Sequence, residues 1–409
     1  MKIVFLNSSG QLGGVENLLL DLLSSLRAAE PDWSFHLLVP QRGPLVDRAR
    51  ALGVESSVIE FPAGIARLGD ASTSESSGTR TSGAAVTRKL LSSAPATLNY
   101  VRQLRNVLRE IKPDAIHTHG LKMHVLGLWA RPSGVPVVWH LHDYVSSRPI
   151  MARLLQLHGG RCAMAVANSE SVAGDLRAVC GPGLKVSAIY NAVDLKKFTP
   201  QGVTLDLDEK AGIAPAPKET IRVGLLASFG RWKGHRTFLE ALALLPPNLP
   251  VRGYVIGGAI YQTENSQYSL EDLRSLAREL GIADRVGFTG FIENSAAAIR
   301  ALDIVVHAST EPEPFGLVIA EAMACGRALV ASQAGGAAEL IDDETNALAH
   351  APGDARVLAD RIERLVLDPA LRKQLGHAGR RTAEARFDHR RLASEMIPIY
   401  RAVAPQALN

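Results

Sequence analysis

Short apolar runs alternate with longer segments of helical character along the whole chain, and this alternation restricts the fold more than any other feature. Strands that helices cover on both faces are apolar throughout, and parallel strands need long crossover connections, which are usually helices. The pattern therefore predicts an α/β chain with two doubly wound parallel sheets in tandem. The runs lie at 2–7, 35–39, 115–117, 135–140 and 163–167, and again at 221–227, 251–257, 285–290, 303–307 and 328–332.

The boundary between the two halves is predicted between Asn191 and Thr220, where several prolines and glycines interrupt the periodicity. We expect a first domain over 1–192, a second over 193–388, and a C-terminal helix over 389–409 that packs back on the first domain. The boundary stretch itself is expected to be a linker with little core, which argues against a metal site at its Asp206-Leu-Asp208 segment.

Composition and the start of the chain bear on its cellular location. The 409 residues are 46% hydrophobic, which is enough for well-buried cores. The three cysteines share no metal-type spacing and are odd in number, so a disulfide framework is not expected. No apolar run approaches the roughly 18 residues that span a bilayer, and the apolar start is shorter than the core of a signal peptide. These features predict a cytoplasmic protein.

Charge is distributed unevenly between the halves. Residues 1–192 contain 20 Lys and Arg against 14 Asp and Glu, whereas residues 193–409 contain 25 against 27. A basic excess suits an acidic or phosphorylated acceptor or an anionic membrane face. Plain solvated charge is the alternative, because no run of five like charges occurs. No nucleic-acid partner is expected.

Two segments of the first half bear on the membrane alternative. Residues 69–85 are rich in Ser, Thr and Gly and are predicted to form a mobile loop, with ordering on ligand binding as the alternative. The next segment is predicted to be a basic amphipathic helix, which either packs its apolar stripe on the sheet or contacts lipid peripherally. Its apolar positions are Leu90, Leu91, Leu98, Val101, Leu104, Leu108 and Ile111, and its cations are Arg102, Arg105, Arg109 and Lys112.

One strand-to-helix turn in the second half has the features of an anion site. The strand Ile304–His307 is followed by Glu311-Pro-Glu-Pro, which prevents an early helix, and Phe315-Gly316 then opens a helix predicted over 317–325. Ligands of open α/β sheets bind at the carboxyl ends of strands, and a helix N-terminus there favours a diphosphate. Gly316 lets the backbone approach such a ligand closely.

Two carboxylates flank this turn. Glu321 falls on the helical face of Leu317, Ala320 and Ala324, which would otherwise be buried, so its carboxylate needs a partner. Adjacent ribose hydroxyls are suitable donors, and Glu313 on the preceding loop can accept hydrogen bonds from a sugar. The spacing alone supports a structural interpretation equally well, in which Glu313 caps the helix and Glu321 forms a salt bridge.

The spacing Glu313-x7-Glu321 within EPEPFGLVIAEAMACG resembles the signature of retaining, family-4-type glycosyltransferases (glycosyl transferases group 1) of the GT-B fold. Further segments fall in the family's order and extend the resemblance over nearly the whole chain. They are 13–16, 138–143, 166–169, 190–194, 232–235, 257–258, 288–291 and 335–339. The resemblance implies two Rossmann-like domains facing an interdomain cleft, an N-terminal one for the acceptor and a C-terminal one for the nucleotide-sugar donor.

The same resemblance implies the chemistry and the residues of the donor site. A sugar would pass from a nucleotide-diphosphate sugar to an acceptor hydroxyl, in glycan, glycolipid or natural-product biosynthesis, without a cofactor or a metal. Glu313 would contact the transferred sugar, Glu321 the ribose, and Lys233 the diphosphate. The family places an arginine five residues before that lysine, where this chain has Ser228, so Arg231 is the candidate replacement. The other implied donor-binding residues are Gly13, Gly14, Gly257, Phe315, Gly316 and Leu317.

Four histidines, at positions 117, 119, 140 and 142, end two strands of the first half. No acidic or Cys partner is spaced to complete a metal site with them, so no metal is expected. By the resemblance, His142 hydrogen-bonds the transferred sugar and is catalytic together with Glu313 and Lys233, while His119 lies on the acceptor side. His117 and His140 are expected to be structural, with strand alternation directing them to the opposite face.

Two other functions stay open at this point. A nucleotide-sugar epimerase of the same architecture would release a changed sugar nucleotide without an acceptor, and a non-catalytic subunit would only bind the nucleotide sugar. A dehydrogenase is disfavoured because the glycine loop at Gly13 and Gly14 is not the G-x-G-x-x-G fingerprint. The donor base, the sugar and the acceptor are set by loop geometry that the sequence does not reveal.

Overall fold

The computed structural model describes residues 1–62, 83–259 and 266–405, with side chains from residue 94 onward in the helix that begins at Gly83. It divides into two compact units. Unit 1 comprises Met1–Asn191 together with His389–Asn409, and unit 2 comprises Ala192–Asp388. These boundaries differ by one residue from those expected from the sequence, and the C-terminal segment belongs to unit 1.

Unit 1 contains a seven-stranded sheet with the order β3-β2-β1-β4-β5-β6-β7 and parallel pairing throughout. The central strands β4 and β5 are buried at every position, as their apolar sequence predicts. The strands are β1 Lys2–Asn7, β2 Ser34–Val39, β3 Glu55–Val58, β4 Ala115–His119, β5 Val137–Leu141, β6 Met164–Ala167 and β7 Val186–Ala188. The helices are α1 Gly14–Ala29, α2 Pro44–Ala51, α3 Gly83–Ile111, α4 Leu121–Ala130, α5 Pro149–His158, α6 Glu170–Cys180 and, after unit 2, α14 Arg391–Val403.

Unit 2 contains a six-stranded sheet with the order β10-β9-β8-β11-β12-β13, again parallel throughout. The prediction of two doubly wound α/β sheets is therefore confirmed. The strands are β8 Ile221–Leu226, β9 Val251–Ile256, β10 Val286–Gly290, β11 Ile304–His307, β12 Ala328–Ser332 and β13 Leu348–His350. The helices are α7 Leu207–Ala211, α8 His235–Leu244, α9 Leu270–Glu279, α10 Ser295–Arg300, α11 Leu317–Ala324, α12 Ala355–Leu367 and α13 Pro369–Arg386.

Three strands, β3, β7 and β13, were not predicted. Each of them lies at an edge of its sheet and has only three or four residues. An edge strand needs little apolar surface, and β3 is the polar segment ESSV, so hydrophobic periodicity gives no signal there.

The prediction of a linker with little core after Asn191 is wrong. Asp206 accepts hydrogen bonds from the first N–H groups of α7, and Asp208 is buried. The Asp208 carboxylate accepts from the Tyr254 hydroxyl at 2.6 Å and from the Arg252 guanidinium at 2.8 Å. These partners lie more than 40 residues away in sequence, on β9, so local periodicity could not reveal that the segment joins the core.

Helix α14 joins unit 1 mainly through α1. The Ser25 hydroxyl donates to the carbonyl of Arg390 and accepts from the Ala393 N–H, both at 3.1 Å. The guanidinium of Arg401 contacts the Glu30 carboxylate at 2.6 Å, and Tyr400 is completely buried. The C-terminal segment therefore completes the core of unit 1.

From residue 94 onward, helix α3 packs three positions of its apolar stripe inward. Packing on the sheet is one of the two alternatives predicted for this basic helix. Val101, Leu104 and Leu108 are buried, whereas Leu98 is 57% exposed. In the predicted mobile loop over 69–85, residues 69–82 lie outside the described residues, and 83–85 belong to the helix instead. Within the described part of the chain, no helix is long and apolar enough to cross a membrane.

Candidate functional site

In each sheet the strand order reverses between two central strands, and the predicted site residues follow these strands. The reversal lies between β1 and β4 in unit 1, and between β8 and β11 in unit 2. Gly13 and Gly14 follow β1 and His119 ends β4, whereas Lys233 follows β8 and Glu313 follows β11. Open α/β sheets bind their ligands at such reversal points, outside the carboxyl ends of the strands.

Lys233 and Glu313 form an ion pair at the reversal point of unit 2. The Lys233 ammonium lies 2.6 Å from Oε1 of Glu313, and the two side chains keep only 21% and 13% of their exposure. The other carboxylate oxygen, Oε2, accepts from the Ser309 hydroxyl at 2.7 Å and lies 3.6 Å from Nε2 of His307. The structure thus brings together two of the three predicted catalytic residues.

The protonation state of Glu313 follows from these neighbours. Burial alone would raise the pKa of this carboxyl, but the nearby His307 side chain and the positive charge of Lys233 outweigh it. Together they hold the pKa of Glu313 well below its usual range, so the side chain is ionised at neutral pH. An ionised carboxylate only accepts hydrogen bonds, which suits it to sugar hydroxyls.

Lys233 reaches Glu313 because of the glycine that follows it. Arg231–Lys233 form a short 3-10 turn that ends at Gly234, which has a φ of +76°. A β-carbon at Gly234 would lie 1.8 Å from the carbonyl oxygen of Ala308, just after β11. The Thr310 N–H also donates to the carbonyl of Trp232 at 2.8 Å. The turn is therefore pressed onto the loop that carries Glu313.

Arg231 has different surroundings from Lys233. Its side chain is exposed, and its guanidinium carbon lies 4.5 Å from the centre of the Tyr268 ring, a cation–π arrangement. The two cations of this turn therefore contact different neighbours, and a diphosphate role for Arg231 stays a prediction.

Helix α11 begins directly after Gly316, which is in the left-handed region with a φ of +90°. The side chain of Phe315 is 2% exposed and packs edge-on against Phe387 with ring centres 6.0 Å apart. Phe315 thus anchors the loop in the core, so a ligand contact from this residue would come through its backbone. The first N–H groups of α11, beginning at Leu317, lie at the start of the helix where an anion binds most favourably.

The face predicted for Glu321 is wrong in part. Ala320 and Ala324 are buried, but Glu321 is half-buried together with Leu317 and Val318. The reason is that α11 packs both on the sheet and on α13, which buries most of its circumference and leaves one strip partly open. Glu321 lies on this strip one turn after Leu317, and its ribose role stays a prediction.

Gly257 and the glycine loop of unit 1 occupy different backbone environments. Gly257 has a φ of +146°, and a β-carbon there would lie 1.9 Å from the carbonyl oxygen of Ala227, so β8 and β9 end in close contact. Gly13 and Gly14 are exposed at the start of α1, and a β-carbon at Gly14 would meet nothing within 4 Å. The close backbone approach in that loop occurs instead at Gly10, against the carbonyl oxygen of Gln41.

The four histidines of unit 1 stand together, and the prediction that His117 and His140 face away from the other two is wrong. The rings of His117 and His119 stack with centres 4.6 Å apart, and those of His140 and His142 are 4.3 Å apart. Residues two positions apart on a strand share one face, so alternation places each pair side by side. His142 takes part in this group through a hydrogen bond between its Nε2 and Nδ1 of His119, at 3.0 Å.

These histidines are neutral at physiological pH. Burial, and then the neighbouring imidazoles, hold the pKa of His117, His119 and His140 well below its usual range. Burial lowers the pKa of His142 to about 4. Neutral imidazoles can ligate a metal, and nitrogens of His117, His119 and His140 lie within 4.8 Å of one another.

Hydrogen bonding argues against a metal in this group. Both nitrogens of His117 have protein partners, namely the Tyr400 hydroxyl at 2.5 Å and Nδ1 of His140 at 3.2 Å. A metal would have to displace at least one of these hydrogen bonds. Within the described part of the chain, the group that could hold an ion consists of three histidines, without a carboxylate or a cysteine. The absence of a metal stays a prediction.

Two family models match consecutive parts of the chain and together cover most of it. The model for Glycosyltransferase Family 4 matches residues 12–197, and the model for Glycosyl transferases group 1 matches residues 207–382. This chain belongs to the family-4-type glycosyltransferases of group 1. The glycosyltransferase matches unit 1 with the first model and unit 2 with the second.

Curated relatives of this glycosyltransferase act in several biosynthetic settings. N-acetyl-alpha-D-glucosaminyl L-malate synthase of Bacillus anthracis is 24% identical over 315 residues, covering 75% of this chain and 79% of that protein. Alpha-D-kanosaminyltransferase of Streptomyces kanamyceticus is 28% identical over 330 residues, covering 76% and 83%. These relatives support glycosyltransferase activity in glycan, glycolipid or natural-product biosynthesis.

Solved structures confirm the GT-B fold. The structures of Anabaena Alr3699/HepE in complex with UDP and with UDP-glucose each match with a TM-score of 0.77 and 25% identity, covering 98% of this chain and 100% of that one. Sucrose-phosphate synthase from Thermosynechococcus elongatus matches with a TM-score of 0.76 over the full length of both chains, at 21% identity.

Three residues at the site of unit 2 were not predicted from the sequence. They are His307, Ser309 and Gly234, which contact or position the Lys233–Glu313 pair. A usable signal existed for the first two, since polar residues at the carboxyl end of a strand beside a reversal point are candidates for a site. Gly234 lies in the segment 232–235 that carries the family resemblance, but the sequence did not indicate its close approach to Ala308.

Proposed function

We propose that this glycosyltransferase is a retaining enzyme that moves a sugar from a nucleotide-diphosphate donor to an acceptor hydroxyl. The ion pair of Lys233 and Glu313 at the reversal point of unit 2 carries the proposal. The cation suits a diphosphate, and the acceptor-only carboxylate suits sugar hydroxyls. The UDP and UDP-glucose complexes of the similar Anabaena protein support this kind of donor.

Catalysis in this proposal depends on positioning and on stabilising the leaving group. Lys233 and the first N–H groups of α11 offset the negative charge that develops on the departing diphosphate. The acceptor hydroxyl attacks the anomeric carbon on the face that the diphosphate leaves, so the configuration is retained. Its proton passes to the leaving phosphate oxygen as the new C–O bond forms and the old one breaks. No covalent enzyme intermediate and no metal is required.

The other predicted residues keep secondary roles in the proposal. Glu321, one turn into the partly open strip of α11, accepts hydrogen bonds from the ribose hydroxyls. Gly257 allows the close packing of the strand ends beside the donor, and His142 hydrogen-bonds the transferred sugar. Each role has its own test, because loss of nucleotide affinity and loss of turnover are measured separately.

The direct test compares Lys233→Ala and Glu313→Gln with matched controls. Lys218→Ala and Glu279→Gln change exposed residues of unit 2 in the same way. We expect each site variant to lower turnover by roughly 10²- to 10³-fold, because each removes charge stabilisation or orientation in the transition state. The controls should keep parental turnover and melting temperature. Unchanged turnover in both site variants would contradict the proposal.

The donor is identified by a thermal-shift screen with UDP, GDP and ADP sugars, since a ligand that binds only the folded state raises the melting temperature. Glu321→Ala should weaken nucleotide affinity in calorimetry with little effect on the fold. Equal affinity in variant and parent would count against the ribose role.

The two other functions give different products in the same assays. An epimerase releases an isomerised sugar nucleotide when no acceptor is present, which product analysis detects. A non-catalytic subunit raises its melting temperature with a donor but shows no turnover with any acceptor. Transfer that requires an added acceptor excludes both.

We further propose that unit 1 contacts an anionic membrane surface, as the basic excess of residues 1–192 suggests. On α5, Ile150 and Leu157 are 48% and 76% exposed, and the exposed Arg153 lies between them. Apolar side chains beside arginines are typical of helices that lie in the lipid headgroup region.

Vesicle flotation tests the membrane proposal. The parent should bind vesicles that contain phosphatidylglycerol and not vesicles of phosphatidylcholine alone, with binding falling as salt rises. Ile150→Ser combined with Leu157→Ser should abolish binding, whereas Leu244→Ser, at a 52% exposed position in unit 2, should leave it unchanged. Equal flotation of the double variant and the parent would refute the proposal.

A further inference from the structure

The Glu313 carboxylate is held from the protein side by two residues that the proposed chemistry does not use. The Ser309 hydroxyl lies 2.7 Å from Oε2, and Ser309 is only 1% exposed. Nε2 of His307, a residue 5% exposed, lies 3.2 Å from the Ser309 hydroxyl and 3.6 Å from Oε2. Both residues are therefore buried behind the carboxylate.

The direction of these hydrogen bonds is fixed by the charge of Glu313. An ionised carboxylate can only accept, so the single proton of the Ser309 hydroxyl is donated to Oε2. The serine oxygen can then only accept from His307, which places the histidine proton on Nε2. The other ring nitrogen, Nδ1, has no hydrogen-bond partner in the described part of the chain.

The backbone around these two residues is itself held in place. The carbonyl of Ser309 accepts from the hydroxyl of Ser332 at the end of β12, at 2.7 Å. His307 is the last residue of β11 and pairs with Ala331 of β12. The backbone of Glu313 is fixed separately, because the Gly336 N–H donates to its carbonyl at 2.7 Å. Ser309, which donates to Oε2, and His307, which donates to Ser309, thus stand at the carboxyl end of a strand that is paired within the sheet.

We propose that Ser309 and, through it, His307 are positioning residues that fix the rotation of the Glu313 carboxylate; this inference rests on the role proposed above for Glu313. The terminal torsion of a glutamate is broad, so a carboxylate without a second anchor samples many orientations. With Oε2 held by Ser309, Oε1 stays directed to Lys233, and the remaining lone pairs keep one orientation toward the donor sugar.

Kinetics of Ser309 variants test the proposal. Ser309→Ala removes the donor and should lower kcat about 10- to 100-fold, because misplacing a catalytic group by about an ångström costs on that order. Ser309→Thr keeps the hydroxyl and should remain within about threefold of the parent, whereas Ser309→Cys, a weak donor of similar shape, should stay low. Nucleotide affinity should change less than about twofold in each, since the diphosphate and ribose contacts are intact.

A double-mutant cycle separates positioning from general structural damage. If Ser309 acts through the Glu313 carboxylate, Ser309→Ala should cause no further loss in a Glu313→Ala background. Ser25→Ala, which removes a buried serine hydroxyl of unit 1, is the control for lost packing and should keep parental kcat. His307→Leu should lower kcat several-fold, and His307→Gln, which retains an N–H at similar reach, should restore most of it.

The outcomes separate this inference from the proposed function. Parental kcat in Ser309→Ala, with kcat in Glu313→Ala strongly lowered but still measurable, would overturn the positioning role and leave the proposed function intact. The same fold-loss from Ser309→Ala in both backgrounds would also overturn it, since a structural role acts independently of Glu313. Parental turnover in Glu313→Ala would refute the proposed function itself, and the inference with it.

Discussion

Gly234→Ala is expected to disable the site with little damage to the fold. A β-carbon at this position would lie 1.8 Å from the Ala308 carbonyl oxygen, whereas ordinary contact begins at 3.4 Å. The turn that carries Lys233 must therefore retreat from the β11 loop by about 1.6 Å. Such a shift separates the Lys233 ammonium from Glu313, which are 2.6 Å apart. A misplacement of this size lowers turnover about 10²-fold.

The left-handed backbone at Gly234 adds a second effect that a matched variant isolates. An alanine at positive φ costs about 1–2 kcal/mol of folding free energy. Gly212 has a φ of +67° and no atom within 4 Å of its would-be β-carbon, so Gly212→Ala introduces the same strain without the clash. Steady-state kinetics and melting temperatures are measured for both variants. If Gly234→Ala retains the kcat of Gly212→Ala, the argument from close approach is refuted.

The other predictions concern stability. Asp208→Asn removes the negative charge that pairs with Arg252 and should lower the free energy of unfolding in urea by about 2 kcal/mol. The loss is smaller than for a fully buried pair because the Arg252 side chain is 16% exposed. A loss below about 0.5 kcal/mol would contradict this account. Tyr400→Phe leaves Nδ1 of His117 buried without its partner and should lower the free energy of unfolding by about 2 kcal/mol in the same assay. An unchanged free energy of unfolding would show that another group replaces the hydroxyl. Burial lowers the pKa of His124 to about 3, so the unfolded chain takes up a proton near pH 6.5 that the folded state refuses. Stability should therefore fall as pH drops below 6.5, by about 2 kcal/mol between pH 7 and pH 5 from this residue. The fall should be smaller by this amount in His124→Gln, in which the other buried histidines still contribute, and equal falls in variant and parent would contradict this account.

The fold was predictable because it depends on local periodicity. Every apolar run chosen from the sequence became a strand, since the central strands of a parallel sheet are buried on both faces and must be apolar. The edge strand Glu55–Val58 was not predicted, because an edge position requires little apolar surface and its sequence is polar.

Part of the site was predictable for a similar reason. Glu313 and Gly316 lie at a strand-to-helix turn, where the chain itself sets both the strand end and the helix start. The pairing of Lys233 with Glu313 joins residues 80 positions apart, and only the family resemblance had linked them.

Contacts that depend on tertiary packing could not be predicted from the sequence. Asp208 resembled a linker residue because its partners lie on β9, and Glu321 was assigned to a buried face because the packing of α11 against α13 leaves no local signature. The error at His117 was of another kind, since residues two apart on a strand share a face and the correct orientation could have been deduced.

The path of the chain has a consequence for how the protein is made. Unit 1 is discontinuous, because its last helix, α14, follows the whole of unit 2 in the sequence. The whole of unit 2 is therefore synthesised before the segment that carries Tyr400, which contacts His117 in the core of unit 1. Until that segment is made, the first unit exposes the surface of α1 that α14 later covers, and transiently exposed apolar surface of this kind favours aggregation.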